Sequence, residues 1–145
     1  MKIDAKGMYF ETLNHQVRCT RDEEIEIDAC YGQRFIGAGS KDKHIVIHGT
    51  PGNALGCYMN GSAIDVYGNA QDAIGDTMND GVIRVYGDAG DACGYAMRGG
   101  KIYVKGNAGY RTGIHMKEYR DKKPVIVIGN EVGSFFGEYQ AGGVL

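Results

Sequence analysis

This sequence has no basic excess, no long apolar run and no paired cysteine motif. Its 16 Lys and Arg stand against 18 Asp and Glu, a formal net charge of −2. With a pI of about 6.1, nothing offsets a nucleic-acid backbone or an anionic lipid surface, so neither is expected as a partner. No segment approaches the roughly 18–20 consecutive apolar residues of a membrane span. The opening "MKIDAKGMYF" also lacks the apolar core of a signal peptide, which makes a cytoplasmic protein the expectation. The four cysteines, Cys19, Cys30, Cys57 and Cys93, include no C-x-x-C pair. That excludes a zinc knuckle and a dense disulfide framework, and leaves reduced, mostly buried thiols.

Tryptophan is missing and proline occurs twice, whereas glycine occurs 24 times in 145 residues. A strand followed by close glycines, as in "IRVYGDAGDACGYAMRGG", has the look of a phosphate-binding loop. The chain repeats that stretch, however. "HIVIHGTPGNALGCYMNG", "AIDVYGNAQDAIGDTMNDG", "VIRVYGDAGDACGYAMRGG" and "KIYVKGNAGYRTGIHM" are copies of one 19-residue unit. First glycines fall at Gly49, Gly68, Gly87 and Gly106, second glycines at Gly56, Gly75, Gly94 and Gly113, and methionines at Met59, Met78, Met97 and Met116. A degenerate copy precedes them, with Ala29 in place of the first glycine, and another follows after four inserted residues, for six copies in all.

A dinucleotide fingerprint needs a helix of ten or more residues before the next strand, and a 19-residue unit has no room for one. Short fixed periods instead mean stacked coils. The expected fold is all-β: a right-handed parallel β-helix of about six coils over residues 25–145, with 1–24 as an N-terminal cap or docking arm. Alternation points Ile45 and Ile47, Ile64 and Val66, Ile83 and Val85, Ile102 and Val104, and Val125 and Val127 inward. His48, Asp65, Tyr67, Arg84 and Tyr86 then face outward, with Asp65 beside Arg84 on successive coils. Glycine suits corners that need positive φ or close backbone stacking, and the methionine ladder suits the core. The final "AGGVL" resembles the entry into a further strand.

Chemistry-bearing residues form no catalytic set. His44 and His48 lie about 13 Å apart on one strand face and read as separate surface histidines. His15 and His115 have no partner within a motif, and Asp22, Glu23 and Glu24 form a solvated charge run. Asp72 and Asp91 share a repeat position, which is tolerable only if they are exposed or hydrogen-bonded. Cys93 occupies a packing position. The inserted loop around residues 117–124, with Lys117, Arg120, Lys122 and Lys123, is either a partner contact or a solvated cluster. No catalytic, cofactor-binding or metal-binding residue is assigned.

With its "GNAGYRTG" and "GDAGDACG" units, the chain resembles the C-terminal GXGXG repeat domain of the glutamate synthase large subunit. Similar repeats occur in one of the subunits of formylmethanofuran dehydrogenase. "DAKGMYFETLN", "GQRFIGAG" and "GSFFGEYQAGG" are closer to free-standing relatives of the glutamate synthase domain. The resemblance implies a noncatalytic scaffold in an oxidoreductase complex that makes glutamate from glutamine and 2-oxoglutarate. FMN and an iron–sulfur cluster are then expected on partner chains, namely a flavin-binding synthase and an amidotransferase. Lys2, where an N-terminal cysteine nucleophile would stand, agrees with that division of labour. The alternatives are the formylmethanofuran dehydrogenase component and a ligand-binding β-helix module. The β-helix ends could also pair copies of the chain.

Overall fold

A computed structural model describes residues 1–145. Seven strands stack in chain order into one sheet: β1 (Lys2–Asp4), β2 (Glu24–Tyr31), β3 (His44–Thr50), β4 (Asn60–Tyr67), β5 (Asp80–Val85), β6 (Lys101–Val104) and β7 (Val125–Ile128). Every adjacent pair is parallel. The one helix, α1 (Phe10–Cys19), lies between β1 and β2. This is the parallel solenoid that the recurrence implies.

Its pitch is less uniform than six equal coils. The 19-residue step holds across β3, β4, β5 and β6, whereas Ile25 pairs with Ile45 and Ile102 with Ile126. Four coils are therefore regular and the flanking ones longer, with β1 added below by the N-terminal segment. Val144 bridges to Val125, so the last residues do enter a further rung.

Inward isoleucines make the core. Ile25, Ile45, Ile64, Ile83, Ile102 and Ile126 are in register, and none is more than 1% exposed. Each such burial contributes about 1.5–3 kcal/mol, which a single isolated coil could not collect. Met59, Met78, Met97 and Met116 are fully buried beside them. Residues 1–24 join this core through Ile3, Leu13 and Val17. Buried Gln33 ties the N-terminal segment down, donating from Nε2 to the Ala5 and Met8 carbonyls at 2.9 and 3.0 Å.

Two expectations are corrected. In β7 the inward residues are Ile126 and Ile128, while Val127 is 48% exposed and Val125 half-buried. The step from β6 is 24 residues, one more than four inserted residues give, and an odd shift reverses the faces of a strand. Ala29 does not stand in for the first glycine either. A bulge between Ile27 and Cys30 puts Cys30 opposite Gly49, and Ala29 is the extra residue at φ 53°.

The glycines serve close approach of three kinds, the first being backbone on backbone, as at Gly49 and Gly68, where an added Cβ would fall 2.2 and 2.3 Å from the carbonyl oxygens of Cys30 and Gly49. At Gly87, Gly90, Gly106 and Gly109 an added Cβ would fall 2.0–2.2 Å from the side-chain oxygen of Asn69, Asp72, Asp88 and Asp91 on the coil beneath. Those oxygens accept backbone N–H groups of the next coil, so the glycine leaves space for a hydrogen-bond ladder. Asp72 and Asp91 are thereby hydrogen-bonded, as their stacking requires. At Gly56, Gly75 and Gly94 φ is 64–71°, and a Cβ would strike the Cδ1 of Ile83, Ile102 and Ile126.

Candidate functional site

The outer face of β2 to β5 gathers most of the interacting titratable side chains. Parallel register places outward residues in columns, and diagonal neighbours meet through long side chains. His44 is the hub of one group: its Nδ1 lies 2.8 Å from Glu24 and its Nε2 2.7 Å from Asp65. Asp65 in turn accepts from Arg84 Nε at 2.6 Å and Nη2 at 3.2 Å, a two-pronged contact. The expected adjacency of Asp65 and Arg84 is present, but Asp65 is 5% exposed rather than outward in solvent.

Burial pushes the Asp65 carboxyl up, yet the hydrogen bonds from Arg84 and His44 outweigh it and hold the group below its ordinary value. The hydrogen bond to Asp65 raises His44, with burial opposing and Glu24 adding to the rise. An imidazolium braced between two carboxylates has both ring nitrogens committed as donors. It is thus poorly placed to act as a base toward a ligand.

The second group lies along the next column. His48 Nε2 is 3.1 Å from Glu26, and its ring stacks on Tyr67 at 5.5 Å between centroids. Tyr67 stacks on Tyr86 at 4.8 Å with planes 1° apart. Tyr103 pairs with Arg84 in register, one column away, so the aromatic stack stops at Tyr86. Glu26, Asp28 and His48 each bring one ligand atom within 4.8 Å of the others. The Lys2 ammonium, 3.9 Å from Glu26, competes for that charge.

Sequence reading took His44 and His48 as separate surface residues, and missed their partners. Glu24, Glu26 and Asp65 lie 20–22 residues away in the chain. The repeat length was the available signal, since one period connects neighbours on adjacent coils. His15 is 3.6 Å from the Cys19 thiol one helical turn on, and His115 stacks on Tyr139 at 5.0 Å. Cys30, Cys57 and Cys93 are buried and Cys19 exposed. Burial pushes Cys30 up to about 11 and Cys93 up to about 12, which suits packing and not nucleophilic attack. In the inserted loop Lys122 reaches Asp80 and Lys123 reaches Glu118, both at 3.9 Å, and Arg98 and Arg120 flank the Tyr119 ring. No helix is long and apolar enough to cross a membrane.

The chain is 51% identical over 150 residues to an uncharacterized protein of Methanocaldococcus jannaschii, an alignment covering 99% of this chain and 58% of the relative. It therefore spans a little over half the length of that protein. No solved structure matches it. The sequence profile of the GXGXG motif, associated with glutamate-synthase-type proteins, matches residues 14–145, from α1 to the last coil. The stacked glycine corners and that match agree, and the chain belongs to the GXGXG motif family.

Proposed function

We propose that this chain is a scaffold component of a glutamate-synthase-type assembly, bracing a flavin-binding synthase chain and an amidotransferase chain. FMN and the iron–sulfur cluster reside on those partners, and this chain makes and breaks no bonds of the substrate.

The observation that carries this reading is the placement of tyrosine. All ten tyrosines are exposed, from 37% at Tyr103 to 87% at Tyr31, and Phe35, Phe135 and Phe136 join them. Tyrosine offers a large apolar ring with a polar tip and little side-chain entropy to lose, which is why protein interfaces are enriched in it. Underneath lies a stiff support, because hydrogen bonds and isoleucine columns link every coil to its neighbours. Tyr110, Phe136 and Tyr139 belong to the last two coils, where Arg111 also lies over the Phe135 ring at 4.8 Å.

The test is reconstitution from purified parts. The chain is mixed with the flavin-binding synthase and amidotransferase chains encoded in the same genome, and the complex is followed by sedimentation. Assembly is expected, together with faster glutamate formation from glutamine and 2-oxoglutarate than the two partners achieve alone. Serine at Tyr110, Phe136 and Tyr139 should weaken assembly about tenfold or more, which corresponds to about 1.4 kcal/mol. Flavin binding or glutamine turnover by this chain alone would overturn the reading, as would partners that assemble and work equally well without it.

A further inference from the structure

The bulge in β2 falls opposite a histidine. Ile27 pairs with Ile47 and Cys30 with Gly49, so Asp28 and Ala29 together stand against His48. Bulges re-aim the side chains beside them. Here one carboxylate oxygen each from Glu26 and Asp28 and one ring nitrogen of His48 all come within 4.8 Å of one another.

The imidazole is held in place from both sides. Its ring stacks on Tyr67 at 5.5 Å with planes 15° apart, Tyr67 stacks in turn on Tyr86, and Nε2 lies 3.1 Å from Glu26 Oε1. A ring fixed in this way has less rotamer freedom to lose when it takes a ligand.

Charge around the trio is unbalanced. Asp4 on β1 stands in register with Asp28, and like charges directly opposite on neighbouring strands are destabilising. Other stacked acids on the solenoid are relieved within the protein, Asp65 by Arg84 and His44, and Asp72 and Asp91 by N–H groups of the next coil. The Asp28 carboxylate has neither kind of partner. Lys2 reaches only Glu26, at 3.9 Å and with its side chain 77% exposed. Such an exposed pair contributes about 0–1 kcal/mol, so a bound cation displaces it at little cost.

We propose that Glu26, Asp28 and His48 bind a divalent transition-metal ion of the zinc or cobalt class. Ligands about 2.0–2.2 Å from a tetrahedral ion lie about 3.4 Å from one another, so the three atoms need only small rotamer adjustments to close on it. The imidazole nitrogen favours such ions over magnesium and calcium, which take oxygen shells. Three protein ligands leave a position for water. The ion joins β2 to β3 where the bulge interrupts their ladder, and offsets the repulsion between Asp4 and Asp28.

The test is calorimetric titration of the chelator-treated full chain with zinc chloride, cobalt(II) chloride and magnesium chloride. It is done in a Cys19→Ser background, because His15 and Cys19 are 3.6 Å apart and could take zinc themselves. One equivalent of zinc should bind with a Kd of about 1–100 µM, raise Tm and shift the His48 ring resonances. Cobalt(II) should bind with the visible absorption of a low-coordinate site, and magnesium should bind at least tenfold more weakly than zinc. His48→Gln and Asp28→Asn should each weaken zinc about tenfold or more, whereas His44→Gln should leave it unchanged. The proposal is overturned if zinc shows no saturable binding below about 1 mM, if magnesium binds as tightly, or if His48 resonances stay in place while zinc binds. It is overturned equally if both ligand variants bind as the parent chain does. Partner chains take no part in this measurement, so it stands apart from the scaffold reading.

Discussion

Replacing Gly106 with alanine would put a methyl group where the Asp88 carboxylate now sits. The added Cβ would lie 2.1 Å from Asp88 Oδ1 and 2.9 Å from the Gly87 carbonyl oxygen. Asp88 cannot simply swing away, because the same Oδ1 accepts the Asn107 N–H at 2.8 Å. Either that hydrogen bond is lost, at about 0.5–1.5 kcal/mol, or the coils separate locally, at the 1–3 kcal/mol typical of overpacking. The expected loss is about 0.5–3 kcal/mol. For a domain of this size that is a fall in Tm of roughly 1–12 °C. Gly39→Ala is the control: φ is +65° there and nothing lies within 4 Å of the added Cβ, so only the left-handed backbone costs, about 1–2 kcal/mol. The decisive measurement is a double-mutant cycle. If the Asp88 oxygen is what the methyl strikes, Asp88→Ala with Gly106→Ala should be less destabilised than the two singles added together, by about 1 kcal/mol or more. Hydrogen exchange at the Asn107 amide reads the same contact locally. Additive changes, or a Gly106→Ala chain as stable as the original, would refute this account of the glycine corners.

Stability should also depend on pH through the His44 group. His44 titrates above its ordinary 6.5, so its contribution is complete below pH 6.5 and fades as pH rises through the raised value. Asp65 lies below its ordinary 3.8, so its contribution is complete above that pH and fades as pH falls through the lowered value. Denaturant midpoints measured against pH should show both limbs, and His44→Gln should flatten the upper one; an unchanged upper limb would rule the network out as its source. A thiol reagent at neutral pH should modify Cys19 within the native protein and reach Cys30, Cys57 and Cys93 only on unfolding, which mass spectrometry after partial labelling checks. Met78→Ala should cost about 2–5 kcal/mol in urea unfolding, because the side chain is fully enclosed between coils. A loss below 1 kcal/mol would mean that the methionine ladder is not tightly packed.

The 19-residue recurrence determined the solenoid by itself, since a repeated unit too short for a helix and too small for its own core can bury its isoleucines only by stacking. The inward column through Ile102, the buried methionines and the contact between Asp65 and Arg84 all follow from alternation and one period. Other features depended on residues far apart in the chain. The parity of β7 turned on a single inserted residue that no local preference fixes, and the position of Cys30 on a bulge. Of the carboxylate partners, Glu24 stands opposite His44 in register, whereas Asp65 and Glu26 reach His44 and His48 diagonally from adjacent coils, which depends on side-chain length as much as on register. Where α1 lies was also tertiary: residues 1–24 carry no repeat, and only packing sets the helix under the first corner. Periodicity is a local property that every unit restates, whereas the end of a stack is formed once, by whatever segment covers it.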